Sequence, residues 1–134
     1  MAEVVGSLRK LPLFAGLHDD DLARIAGMAT EFEAPANQVL IERGQVGAGM
    51  FVIEEGEMVV DLGNREIRRG PGDYVGEMAL FTEGGRRNAR VRTATPVRCL
   101  AIARSDFDEL IEDHPQIASA MLRVLAERLA ETDA

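Results

Sequence analysis

The spacing of apolar residues changes period twice along this chain, and that limits the folds open to it. From Leu17 to Ala29, Leu22, Ile25, Ala26 and Ala29 follow an acidic cluster, Asp19-Asp20-Asp21, at helical spacing. The three aspartates suit the positive end of a short amphipathic helix. Before it, Leu8, Leu11, Leu13 and Phe14 are interrupted by Pro12, which reads as a short helix or turn packed back on a core. From Thr30 to Ala103 short runs alternate with turn residues. They include Glu31–Glu33, Gln38–Ile41, Met50–Ile53, Met58–Leu62, Arg90–Thr93 and Val97–Ala103. Breaks fall at Pro35 to Asn37, Gly56, Gly63-Asn64, Pro71-Gly72-Asp73 and Ala94-Thr95-Pro96. After Ala103 the helical period returns. Ser105 is expected to cap Asp106–Glu112, and Pro115 to open a last helix.

About seven or eight short strands roughly ten residues apart, held between helices, imply a mainly β fold. The expected form is a jelly-roll-like β-barrel with short N-terminal helices and two C-terminal helices. A chain of 134 residues fits a single domain. Its parts would be N-terminal helices over 1–29, the β region over 30–103 and C-terminal helices over 104–134. The last helix carries Ala118, Leu122, Leu125 and Leu129, widened by Met121 and Val124. This stripe is broader than one coiled-coil seam. Part of it is expected in the core, and the remainder is open to a partner, a ligand lid or a dimer contact.

Charge and side-chain chemistry exclude several functions. The net charge is −8, from 15 basic and 23 acidic residues, which repels nucleic acid and anionic membranes. An anionic ligand must be held by a local cluster. Cys99 is the only cysteine, so disulfides and thiolate-held clusters are ruled out within the chain. Its neighbours Val97, Leu100 and Ile102 mark it as a buried small hydrophobe. His18 and His114 stand in no metal-ligand spacing. No apolar run approaches the ~20 residues of a membrane span, and Met1 to Lys10 lacks an apolar leader core. A cytoplasmic location is expected. No nucleophile–base pair or activated carboxylate pair is visible, so the chain does not read as an enzyme.

One segment departs from the strand pattern. Tyr74-Val75-Gly76 ends a strand, Glu77–Phe81 favours a short helix, and Gly84-Gly85 turns the chain into Arg86-Arg87-Asn88-Ala89-Arg90. Gly76 permits a close backbone approach to a ligand. The first N–H groups of a short helix have no intrahelical partner and can meet an anion. Arg87 can set its planar fork on phosphate oxygens. Glu77 beside that anion needs a donor of its own, and a sugar hydroxyl supplies one. Arg86 reads as a surface charge, and Arg90 as facing solvent or an acidic neighbour, with the ligand as the alternative for a strand residue two along from Asn88.

Gly76-Glu77-Met78-Ala79-Leu80, with Arg87-Asn88-Ala89 ten residues after Glu77, resembles the phosphate-binding cassette of cyclic nucleotide-binding domains. The resemblance covers nearly the whole chain, with the cassette at 75–91 inside a β-roll at 30–103. The chain is similar in this to the sensor domains of cAMP receptor proteins, protein kinase A regulatory subunits and cyclic-nucleotide-gated channels. The resemblance implies a ligand site of Val75, Gly76, Glu77, Met78, Ala79, Arg87, Asn88 and Ala89. Glu77 would accept a hydrogen bond from the ribose 2′-hydroxyl, and Arg87 would pair with the cyclic phosphate. Backbone N–H groups near Gly76, Met78 and Ala79 would complete the cradle. The Asn88 amide would donate to the phosphate or a purine edge, where the family often has Ser, Thr or Ala.

The family signals by moving helices. Leu80 would pass cassette movement to the following helical segment, with Phe107, Leu110, Ile111, Met121, Leu122 and Leu125 as candidate contacts. The expected function is binding of a cyclic nucleotide, cAMP ahead of cGMP, with no cofactor. The alternative is a ligand-independent interaction or oligomerisation module. Partners would be the nucleotide itself and, through the C-terminal helix, a second copy or an effector protein. No recognition helix follows Glu127, Glu131 and Asp133, so neither nucleic acid nor membrane is expected as a partner of this chain alone. Its output is expected in a partner or in a part of a longer chain.

Overall fold

The computed structural model describes residues 2–11, 14, 17–42, 49–76 and 89–133. They divide into two compact units, one of Met1–Gly27 with Ser105–Ala134, the other of Met28–Arg104.

The first unit is helical. Helix α1 spans Ala2–Arg9 and α2 spans Asp19–Met28. Helix α3 spans Arg104–Asp113, and α4 spans Pro115–Asp133. Leu22, Ile25 and Ala26 are buried on α2, as their i, i+3, i+4 spacing requires. Leu8, Leu11, Phe14, Phe107, Leu110 and Ile117 are buried as well. Across the α2 side of the α3–α4 joint, Arg24 meets Asp113 and lies 3.4 Å from Glu109. His114 Nε2 lies 3.3 Å from Asp21 Oδ1. Ser105 sits inside the first turn of α3 and does not cap it. The helix begins directly where the preceding strand ends, so no residue is left for a separate cap. Leu122 is 59% exposed, so that part of the terminal stripe is free of the core. No described helix is long and apolar enough to cross a membrane.

The second unit is the β-roll. Strands β1 (Thr30–Ala34), β8 (Val97–Ala103), β3 (Gly49–Glu55) and β6 (Tyr74–Val75) form one sheet in the order β1-β8-β3-β6. Strands β2 (Val39–Ile41), β7 (Arg90–Thr93), β4 (Met58–Asp61) and β5 (Glu66–Arg69) form the other in the order β2-β7-β4-β5. All pairings within both sheets are antiparallel. The mainly β class with flanking helices is as expected. The barrel takes the form of two four-stranded sheets, with no hydrogen-bonded closure between them among the described residues.

The sheets share one core. Ala34, Ile53, Val75, Val97 and Cys99 from the first meet Ile41, Met58 and Val91 from the second. Phe32 and Phe51 join its margin edge to face, with ring centres 5.5 Å apart. Burial pushes the Cys99 thiol up to about 11, with the Glu54 charge adding to the effect. The Glu54–Glu57 hairpin turns at Gly56, whose φ of 90° lies in the left-handed region. A Cβ there would stand 2.3 Å from the Pro96 carbonyl oxygen, so only glycine fits.

Candidate functional site

The two ends of the cassette are held by different sheets. At the entry, β6 pairs Val75 with Phe51 and Tyr74 with Val52, and both β6 residues are buried. Gly76 follows with φ of 86°, a turn that L side chains resist. At the exit, Ala89 is buried and β7 begins at Arg90. A strand of the first sheet thus delivers the chain to the site, and an inner strand of the second sheet takes it away. Of the expected ligand-site residues, Val75 and Ala89 are buried and Gly76 takes the left-handed turn. Glu77, Met78, Ala79, Arg87 and Asn88 lie outside the described residues, as do Leu80 and Arg86. The side chains of Met121 and Leu125, expected to contribute to a lid, lie outside the described part too.

Register fixes the surface leading away from the exit. In the second sheet Val91 pairs with Val60, which pairs with Ile67. Thr93 pairs with Met58, which pairs with Arg69. Val91, Val60 and Met58 belong to the core, so both rows lie on the inner face. Arg90 pairs with Asp61 and Asp61 with Glu66 on the outer face. One residue further, Leu62 and Arg65 stand next along the β4–β5 hairpin. The Leu62 N–H donates to the Arg65 carbonyl at 3.0 Å, which continues the ladder into the hairpin.

The basic cluster read from the sequence divides accordingly. Arg90 Nε donates to Glu42 Oε1 at 2.8 Å, and that hydrogen bond and its charge raise the guanidinium pKa further. Arg92 Nη2 lies 3.7 Å from Glu66 Oε2. Arg90 therefore pairs with an acidic neighbour, as expected of a residue turned from the core. Two inner-face cations escaped the sequence reading. Arg69 is 11% exposed in its side chain, with Nε 3.5 Å from Asp73 Oδ2. Arg65 has Nε and Nη2 buried. The period-two alternation of Arg65, Ile67 and Arg69 was the available signal.

An open cavity of about 490 Å³ lies elsewhere on the roll, lined by Glu33, Ala34, Pro35, Glu55, Pro96, Val97 and Arg98. It sits at the Glu55 end of β3, whereas Gly76 follows the residue paired with Phe51. Arg98 there is engaged by Glu55 at 3.1 Å, so its charge is balanced within the protein. This cavity lacks the glycine turn and the cassette, and we do not assign the ligand to it.

Residues 31–114 match the family described as cyclic nucleotide-binding domain. A cyclic nucleotide-gated potassium channel of Rhizobium etli is 35% identical over 118 residues, 88% of this chain and 33% of the channel. The chain thus spans about a third of the length of that curated relative. The crystal structure of Thermus thermophilus catabolite activator protein superposes with a TM-score of 0.78 at 29% identity, covering 91% of this chain and 60% of that one. The regulatory domain of Toxoplasma gondii PKA, crystallised with cAMP, gives a TM-score of 0.72 at 26% identity, covering 84% of this chain and 44% of that one.

Proposed function

The chain belongs to the cyclic nucleotide-binding domain family, and from that premise we propose that it is a cyclic nucleotide sensor that binds cAMP ahead of cGMP and signals through its C-terminal helices. The observation that carries the reading is the survival of both charged cassette residues, Glu77 and Arg87, within the matched span. The left-handed turn at Gly76 and the buried exit at Ala89 support it, because they anchor such a segment at both ends. The cAMP preference is supported by the cAMP-bound neighbour.

In this reading Arg87 sets two N–H groups on the cyclic phosphate, and Glu77 takes the ribose 2′-hydroxyl proton as a hydrogen bond. Backbone N–H groups at Gly76, Met78 and Ala79 complete the cradle, and the Asn88 amide adds a donor. Val75 and Ala89 hold the two ends of the cassette. The binding needs no metal or other cofactor, and the chain acts as a regulatory module without chemistry of its own. The nucleotide changes the helical unit by binding one arrangement better than another, with Leu80 as the relay. The exposed Leu122 on α4 is available for a second copy or an effector protein. We place this activity in the cytoplasm.

Calorimetry with cAMP and cGMP tests the proposal, with Arg87→Ala as the control. Loss of a charged, two-pronged contact should cost roughly 1.5–3 kcal/mol, about ten- to a hundredfold in affinity. Absence of binding heat for the wild type, or equal affinity in the variant, sinks the proposed site. The helical output is read by amide exchange. Identical protection of α3 and α4 with and without saturating ligand would show that the chain is a scaffold.

A further inference from the structure

We propose that the outer edge of β1, together with the open cavity at its end, docks an extended basic segment of a partner protein as an added strand. β1 (Thr30–Ala34) pairs with β8 on one side and is the outermost strand of its sheet. Alternate backbone N–H and C=O groups along its other side therefore point away from the sheet, open to a further strand. Thr30, Glu31 and Glu33 are exposed and Phe32 is half-buried, so a partner can reach that edge. β6, which leads into the cassette, is the opposite edge of the same sheet. The proposal is independent of the nucleotide site.

The added ladder has a defined stop. Pro35 follows Ala34 and has no N–H to donate, so a strand paired along β1 leaves the sheet there. The cavity of about 490 Å³ begins at that point, with Glu33, Ala34 and Pro35 on the β1 side. Pro96, Val97 and Arg98 line it from the start of β8. It has room for a long side chain carried just past the ladder.

Charge selects the occupant. Phe32 packs against the core, and period-two alternation puts Glu31 and Glu33 on the opposite face, about 7 Å apart. Neither carboxylate has a hydrogen-bond or ion-pair partner among the described residues. In the cavity, Glu33 and Glu55 face one guanidinium, Arg98, which Glu55 already engages at 3.1 Å. Glu54 lies 3.8 Å from the same guanidinium. Negative charge is therefore left over where the ladder ends. Residues of an added strand opposite Glu31 and Glu33 gain charge pairing when they are Lys or Arg, and those opposite Phe32 complete its cover when apolar. The matching segment alternates basic and apolar side chains. Two copies joined β1 to β1 would set Glu31 against Glu33, a like-charge pairing that disfavours them.

Fluorescence anisotropy with labelled synthetic peptides tests this. One peptide alternates lysine and valine, a second alternates glutamate and valine, and a third is the lysine peptide N-methylated at alternate amides so that it cannot pair. Wild type should bind the first at least about tenfold more tightly than either of the others. Glu31→Gln/Glu33→Gln should lose the preference for lysine over glutamate, and Glu31→Lys/Glu33→Lys should reverse it. Asp20→Lys/Glu112→Lys makes the same change of net charge at exposed helix positions and should stay within about threefold of wild type. The glutamine pair decides alone if the lysine pair at 31 and 33 fails to fold. Equal binding of the plain and N-methylated lysine peptides would reduce the effect to charge attraction and overturn the proposal. A helix control as weak as the edge variants, or free lysine binding as tightly as the peptide, would overturn it as well. A wild type that dimerises through this edge, with the lysine peptide as competitor, would give the edge to a second copy and refute the partner named here.

Discussion

Replacing Thr93 by valine should destabilise the β-roll by about 2 kcal/mol while leaving its ligand site intact. Thr93 is fully buried at the end of β7. Its hydroxyl accepts from the Gln38 N–H at 2.9 Å and donates to the Pro35 carbonyl at 2.6 Å. Its backbone adds two more bonds to the same turn, Asn37 N to Thr93 O at 2.8 Å and Thr93 N to Gln38 O at 2.9 Å. That turn places Asn37 at φ of 64°, a conformation that needs support. Valine keeps the shape and removes the hydroxyl, so one donor and one acceptor lose their partner. Unpaired groups cost about 1–3 kcal/mol each, and the lower end applies because Pro35 and Gln38 are exposed enough to recruit water. The sum is about 2 kcal/mol, a fall of roughly 1 M in the urea midpoint for a small domain. Thr93→Ser keeps the hydroxyl and loses one methyl, about 0.8 kcal/mol. Thr93 lies four residues along β7 from Ala89, about 13 Å, so nucleotide affinity should stay within about threefold. A valine variant within about 0.3 M of wild type, or a serine variant that is the weaker of the two, would refute the hydrogen-bond argument.

Cys99 and Gly56 give two further tests. Because burial raises the Cys99 pKa from 9.0 to about 11, the native thiol stays protonated where the unfolded one ionises. Its contribution to stability is full below pH 9 and is lost as pH rises from 9.0 to about 11. Urea titrations of wild type and Cys99→Ala across that window should therefore converge in the direction of lost wild-type advantage, and rapid reaction of the native thiol with an aromatic disulfide at pH 8 would contradict its burial. Gly56→Ala should cost at least about 2 kcal/mol, from positive φ and from forcing apart backbone atoms. Gly70→Ala is the control, since a Cβ there meets nothing within 4 Å, and similar midpoints for the two would refute the steric argument.

Strands β7 and β8 were legible to the residue, because Ala94-Thr95-Pro96 separates them and β8 is a short, almost wholly apolar run. Local punctuation carries that kind of information. Helices were expected within 1–29, but the bounds of α1 were not legible, since Ala2–Arg9 lacks a strong apolar stripe and the fully buried Leu8 stands near its end. The start of α3 was misplaced for a related reason: a strand that runs straight into a helix offers no loop to read. Pairing partners far apart in sequence were also hidden. Nothing in Thr30–Ala34 announces Val97–Ala103 as its neighbour. Glu77 and Arg87 lie outside the described residues, and of the expected site Gly76 was legible because a glycine at the end of a strand marks a turn. Arg65 and Thr93 were not, because an arginine in a hairpin and a threonine in a strand are ordinary until the register shows which face they share.

That distant pairing also sets how the two units are joined. The roll is entered at Met28 and left at Arg104, and Thr30 lies opposite Ala101 in the β1–β8 ladder. The two covalent crossings are therefore neighbours, separated by about one strand spacing, although more than half the chain runs between them. In engineering terms the roll is an insertion with its own ends already side by side. A segment of 28–104 could be excised or circularly permuted with a short linker, and the two halves of the helical unit could be rejoined across the same gap. Any signal carried by the backbone from roll to helices must leave through that single paired edge.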